Sequence, residues 1–155
     1  MHPTARLATP PDLGLLVDLM EEFYAESGMP LDRTQASEAF AALLADGTLG
    51  AVWVLGADQQ PAGYVVLTLG FSMEYGGLDA FVDDLFVRPG ARGQGLGRAG
   101  LVAVVAECHR RGVRAVHLEV GRANAPAKGL YAEFGFRDND RQLLTALVGM
   151  APRPP

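Results

Sequence analysis

The chain has 155 residues, of which 49% are hydrophobic and 20% charged, with a formal net charge of −5 and one cysteine. This is globular composition rather than disordered or fibrous, and the simplest organisation is one domain over residues 1–151 with a frayed tail at 152–155. The acidic balance argues against general nucleic-acid binding, and the apolar runs are too short to cross a bilayer. With Cys108 alone and no apolar leader after Met1, the expected location is the cytoplasm.

Ala5 to Thr9 reads as a short first strand. Pro10-Pro11-Asp12 opens a helix in which Leu13, Leu16, Val17, Leu19, Met20 and Phe23 share one face, fading near Gly28-Met29-Pro30. Asp32 to Ala45 reads as a second helix. Leu49 to Leu55 and Ala62 to Phe71 read as a hairpin around Asp58-Gln59-Gln60-Pro61, and Leu78 to Val87 as a third strand of this group. Gly97 to Arg111 is helical and closed by Gly112. Val113 to Val120 reads as a buried strand, Asn124 to Phe134 as a helix, and Leu143 to Val148 as a last strand, although it reads equally as a short helix. The order β-α-α-β-β-β-α-β-α-β puts antiparallel hairpins first and crossovers second. It predicts an α/β (α+β) mixed sheet with helices on both faces.

The most informative stretch joins the strand ending at Val87 to the helix starting near Gly97. It reads Val87-Arg88-Pro89-Gly90-Ala91-Arg92-Gly93-Gln94-Gly95-Leu96-Gly97-Arg98. Its glycines allow close approach of backbone to ligand, and a helix start presents unpaired N–H groups, so the stretch predicts a phosphate cradle. A Walker loop would need Gly-Lys-Ser/Thr, but Gly97 is followed by Arg98 and Ala99. Gly95-Leu96-Gly97-Arg98-Ala99-Gly100 matches the dinucleotide fingerprint in spelling. That match buries the third glycine in the helix and follows a hairpin, which does not suit a dinucleotide fold.

Arg92-Gly93-Gln94-Gly95-Leu96-Gly97 instead fits Arg/Gln-x-x-Gly-x-Gly. Downstream, Asn124-x-x-Ala127-x-x-Leu130-Tyr131 followed by Gly135-Phe136 forms a second motif. In both, the chain resembles the GNAT superfamily of N-acetyltransferases. The motifs lie in the last half of the chain; the first half matches in element order only. The resemblance implies a mostly antiparallel sheet of 6–7 strands with a splayed parallel pair, 81–87 and 113–120, often helped by a bulge. It also implies acetyl-coenzyme A as cosubstrate. Pantetheine would bond the main chain of Leu85, Phe86 and Val87. The pyrophosphate would sit on Gly93, Gln94, Gly95, Leu96, Gly97 and Arg98, with Arg92 or Arg98 adding charge. Asn124 and Ala127 would line the cofactor's path, Asn124 also serving as a helix cap.

Acetyl transfer to an amine needs a base for the amine, stabilisation of the carbonyl oxygen and an acid for the departing thiolate. The resemblance places Tyr131 as the acid and implies direct attack. A backbone N–H near Leu85 or Phe86 is the expected oxyanion donor. Glu119 and Asp84 are the leading bases, followed by Glu74 and Asp83; a water relay stays open. Asp83 and Asp84 face opposite sides by strand alternation, unless a bulge intervenes. Glu74, Tyr75 and Asp83 are the expected substrate residues. Glu74, Asp79, Asp83 and Asp84, with Glu21, Glu22 and Glu26, suggest a cationic small primary amine as acceptor. A peptide N-terminus, or a non-catalytic coenzyme A sensor of the same fold, are the alternatives. The superfamily often forms dimers, so a homodimer is an expected assembly. His2, His109 and His117 lack metal-like spacing, Cys108 reads as packing, and no metal is expected.

Overall fold

The computed structural model describes residues 2–150; the tail expected at 152–155, and residue 151, lie outside them. Five strands form one sheet in chain order: β1 (Pro3–Leu7), β2 (Gly50–Ala57), β3 (Gln60–Ser72), β4 (Gly77–Val87) and β5 (Ala115–Leu118). The first four are antiparallel neighbours, and β5 runs parallel to β4. The helices are α1 (Leu13–Glu26), α2 (Arg33–Ala45), α3 (Leu96–Arg111) and α4 (Ala125–Glu133).

Local chemistry explains most of these boundaries. Asp58 and Gln59 both have positive φ, 49° and 65°, which is the geometry that turns two twisted strands back on each other. β3 therefore resumes at Gln60, earlier than the sequence pattern suggests. Before α1, the Asp12 carboxylate accepts from the Thr9 N–H at 2.8 Å and from both terminal nitrogens of Arg6 at 2.8 Å. Asp32 caps α2 by accepting from Thr34 and Gln35 N–H groups at 2.9 and 3.1 Å.

Strand alternation divides the core into two layers. Val52, Val54, Tyr64, Val66 and Phe86 face α1 and α2, meeting Leu16, Leu19 and Phe40. Ala51, Trp53, Leu55, Val65, Leu67 and Val82 face α3, meeting Val104 and Cys108. Cys108 is thus a packing residue, and helices cover both faces as expected.

Two expectations are corrected. The sheet has five strands rather than 6–7, because residues 143–148 form neither strand nor helix. An apolar extended segment becomes a strand only where a neighbouring edge completes its hydrogen bonds, and this segment meets none in the protomer. The strand expected over 113–120 is paired only over Ala115–Leu118, because β4 leaves it at Val82.

Candidate active site

The parallel pairing runs from Asp79 opposite Ala115 to Val82 opposite Leu118 and stops there. The cause lies in β4. Val66 faces Asp84 while Leu67 faces Val82, so Asp83 is one residue too many for its partner strand. Such a bulge bends and twists its strand, and β4 veers from β5 at that point. Past the bulge, Leu85, Phe86 and Val87 keep β3 on one side, opposite Val65, Tyr64 and Gly63, and have no β5 residue opposite on the other. Apart from the Val87 carbonyl, which accepts from Arg92, main-chain groups along that open side are available to an amide-bearing ligand.

The glycine-rich loop continues from this diverging strand. Gly93 and Gly95 have φ of 75° and 85°, a backbone region costly for residues with a Cβ. Gly95 is the N-cap of the 16-residue α3, and no side chain caps that end. The N–H groups of Leu96, Gly97 and Arg98 therefore start the helix without intrahelical acceptors and with the positive end of its dipole. Gln94 is exposed beside them. The other side of this end is closed by α4, with Leu130 Cδ2 placed 3.3 Å from where a Cβ on Gly97 would lie. Uncapped helix N–H groups, positive-φ glycines and an open strand edge together fit a diphosphate joined to an amide chain.

The loop arginines already have carboxylate partners. Arg92 donates to both Glu26 oxygens at 2.8 and 2.7 Å and to the Val87 carbonyl at 2.8 Å. Arg98 pairs with Glu133 at 2.5 Å, and Arg88 holds Glu22 through two 2.8 Å bonds. The end of α1 is thereby strapped to the loop and α4 to the start of α3.

Where β4 and β5 part, a cavity of about 280 Å³ opens. Asp83 and Leu85 come from β4, Glu119 follows β5, Asn124 and Tyr131 come from the start and body of α4, and Phe23 and Ser27 reach in from the end of α1. Tyr131 is half-buried, with Phe136 edge-on at 5.9 Å, and burial raises its phenol pKa, so the hydroxyl stays protonated. The side-chain oxygen of Asn124 accepts from the Ala127 N–H at 3.3 Å, which makes it the cap of α4 as well as a cavity residue. Loss of hydration raises the Asp83 carboxyl, with a Thr68 hydrogen bond acting in the opposite sense. Among the described residues no ion pair involves Asp83 or Glu119.

The other expected site residues lie elsewhere. Asp84 does not line this cavity. It accepts a 2.8 Å bond from the hydroxyl of Tyr64, which is fully buried against α2. Burial raises the Asp84 carboxyl, and the Tyr64 bond lowers it. Glu74 is exposed and held by Arg141 through two 2.8 Å bonds, which lower its pKa. Tyr75 packs 5.9 Å from the ring of His117, which contacts Asp79 through Nε2 at 3.1 Å. On α1, Glu21 pairs with Arg33 as Glu22 and Glu26 pair with loop arginines. Most of the acidic groups thought to attract a cationic acceptor are therefore balanced locally. Phe23 and Ser27 are cavity residues that the sequence reading missed. Phe23 has the helical spacing of a core residue, and nothing local shows where the end of α1 will lie.

Residues 15–136 match the sequence profile of the acetyltransferase (GNAT) family. An integron cassette protein from the mobile metagenome of Cole Harbour Salt Marsh is 47% identical, with a TM-score of 0.83 over 98% of this chain and 92% of that one. A Bacillus subtilis (strain 168) protein named as a ribosomal protein bS18-alanine N-acetyltransferase is 37% identical over 59 residues, spanning 38% of this chain and 39% of that protein. A predicted acetyltransferase from Clostridium acetobutylicum, solved with acetyl-CoA, shares the fold at a TM-score of 0.77 and 20% identity, over 94% of this chain and 96% of that one. The chain belongs to the GNAT family, acetyltransferases that draw on acetyl-coenzyme A.

Proposed function

We propose that this enzyme acetylates the primary amine of a small molecule by direct attack, in the cavity between the diverging ends of β4 and β5. The observation that carries this reading is the convergence of Asp83, Glu119, Asn124 and Tyr131 there, with α4, which carries Tyr131, also packing through Leu130 on the uncapped start of α3. Bound acetyl-coenzyme A would supply an activated acetyl thioester. The N–H groups of Gln94 to Arg98 would hold its diphosphate, and the open edge of Leu85 to Val87 its amide chain. Asn124 and Ala127 would flank that chain.

Glu119 takes the proton that leaves the amine as the N–C bond forms, directly or through water. Tyr131, kept protonated by burial, gives its proton to the sulfur as the C–S bond breaks, and solvent then restores both groups. A main-chain N–H near Leu85 would donate to the carbonyl oxygen where negative charge develops. Asp83 orients the incoming amine. A cavity of about 280 Å³ suits the reactive end of the cosubstrate with a compact acceptor better than a long one.

The test mixes purified protein, acetyl-coenzyme A and an acceptor panel, and follows thiol release. The panel holds small amines, amino-acid derivatives and a peptide starting with alanine, since a relative is named for that peptide chemistry. Small amines are expected to exceed the peptide by at least about tenfold in kcat/KM. A faster peptide would overturn the acceptor class. Binding without amine-dependent thiol would mark a sensor instead of a catalyst.

A further inference from the structure

One step back from the point where β4 and β5 part, Thr68, Phe81 and His117 lie side by side on β3, β4 and β5. Phe81 is half-buried, yet it packs in neither of the two core layers. Its ring lies 5.3 Å from the ring of His117, and that of Tyr75 lies 5.9 Å from it. Tyr75 itself is 43% exposed.

The His117 ring is fixed by Asp79. Nε2 lies 3.1 Å from Asp79 Oδ2, and both side chains are half-buried. A carboxylate only accepts, so the hydrogen sits on Nε2 and Nδ1 of the neutral ring is left as an acceptor. Among the described residues nothing donates to Nδ1. Gly70, opposite Asp79, makes room for the pair, since a Cβ there would come within 2.8 Å of Asp79 Oδ1.

This row runs into the cavity. Asp83 lines the cavity and is hydrogen-bonded by Thr68. Glu119, another cavity residue, follows His117 by two positions, about 7 Å along an extended chain. Glu22, Glu26, Glu74 and Glu133 each hold an arginine. Among the described residues, Asp79, Asp83 and Glu119 hold neither arginine nor lysine. The strip therefore keeps a negative balance beside aromatic faces, which also attract cations.

We propose that His117 is a specificity-determining residue of the acceptor site: held by Asp79, it accepts through Nδ1 from the second amino group of a short straight-chain diamine. The inference rests on the proposed acetylation of a small amine in the cavity. With the reacting amine beside Glu119, about five methylenes bridge the distance to His117. The far ammonium then meets the acceptor nitrogen, the charge of Asp79 and the ring of Tyr75. A monoamine of the same length leaves Nδ1 without a donor.

The test measures binding by calorimetry to protein loaded with coenzyme A, which carries no acetyl group to transfer. The probes are pentylamine, the amino alcohol of the same length, and cadaverine, the matching diamine. Cadaverine is expected to bind at least about fivefold more tightly than pentylamine, with the amino alcohol between them. His117→Gln keeps a donor for Asp79 but has no acceptor in place of Nδ1, and is expected to lose most of this preference. His117→Asn sets its amide oxygen near the Nδ1 position and is expected to retain more of it. A smaller wild-type preference, or failure of all three amines to bind, would overturn the proposal. So would a preference kept by the glutamine variant, or lost equally in both variants, since net charge or packing would then explain it. Should the variants not fold, nitrogen NMR of the wild-type imidazole decides: the Nδ1 resonance must move with cadaverine and not with pentylamine. Cadaverine bound in this way but never acetylated would defeat the catalytic reading and leave the assignment of His117 intact. Acetylation of all three amines without preference would do the reverse.

Discussion

Tyr131 and Asp84 show how one physical effect, burial, produces two different roles. For Tyr131, burial favours the neutral phenol, which is the form an acid must hold before it donates. Tyr131→Phe is expected to lower thiol release by about 100-fold or more. The affinity for acetyl-coenzyme A should stay within about threefold, since the ring and its packing on Phe136 remain. Steady-state kinetics and calorimetry on the same preparation check the two halves. For Asp84, burial again favours the neutral form, but the group lies in the α1–α2 layer beneath Tyr64. Its folded pKa is raised above the ordinary carboxyl value of about 3.9. It contributes stability below that value and loses the contribution as pH rises through the folded pKa. Asp84→Asn keeps an acceptor for the Tyr64 hydroxyl and removes this loss. Its melting temperature relative to wild type should therefore increase from pH 4 to pH 8 in a series of thermal melts. A gap that narrows over that range contradicts this placement of Asp84.

At the scale of elements, the site depends on two junctions. One is the bulge at Asp83, which ends the β4–β5 pairing and opens the cavity. The other is the entry to α3, where Gly95 at φ 85° turns the chain so that helix N–H groups face outward. Gly95→Val places a β-branched residue in that region, and its Cβ would lie 3.4 Å from Pro3 Cγ. The variant is expected to lose about 1–2 kcal/mol of stability. It should bind coenzyme A at least about tenfold more weakly, because the loop can no longer present its N–H groups. Thermal unfolding and calorimetry measure the two effects, and an unchanged affinity would remove the loop from the binding site. The straps from α1 and α4 belong to the same scale. They are exposed ion pairs, worth about 0–1 kcal/mol each in stability. Their consequence is positional: they tie the end of α1, which brings Phe23 and Ser27 to the cavity, to the glycine-rich loop, and α4 to the start of α3.

For the whole molecule, an open strand edge that leads into an uncapped helix start predicts marked stabilisation by the ligand that spans both. At 100 times its dissociation constant, coenzyme A should add about 2.7 kcal/mol, equivalent to a rise of about 5–10 °C in melting temperature for a chain of this size; calorimetric scans with and without it decide. Among the described residues no helix is long and apolar enough to cross a membrane, and no cluster of three or more potential metal ligands occurs. By itself the sequence determined the element order as far as α4, the glycine-rich entry to α3, the Asn124–Tyr131 face of α4 and the family. These follow from consecutive residues, through positive-φ glycines, helix caps and the periods of strand and helix. Only the tertiary structure decided which carboxylates meet in the cavity, because a single extra residue at Asp83 reverses strand parity beyond it. It also decided that Glu22 and Glu26 are balanced by Arg88 and Arg92, each 66 positions away along the chain. The fate of residues 143–148 was settled at the same level, because a strand needs an edge to pair with and its own residues do not specify which edge that is.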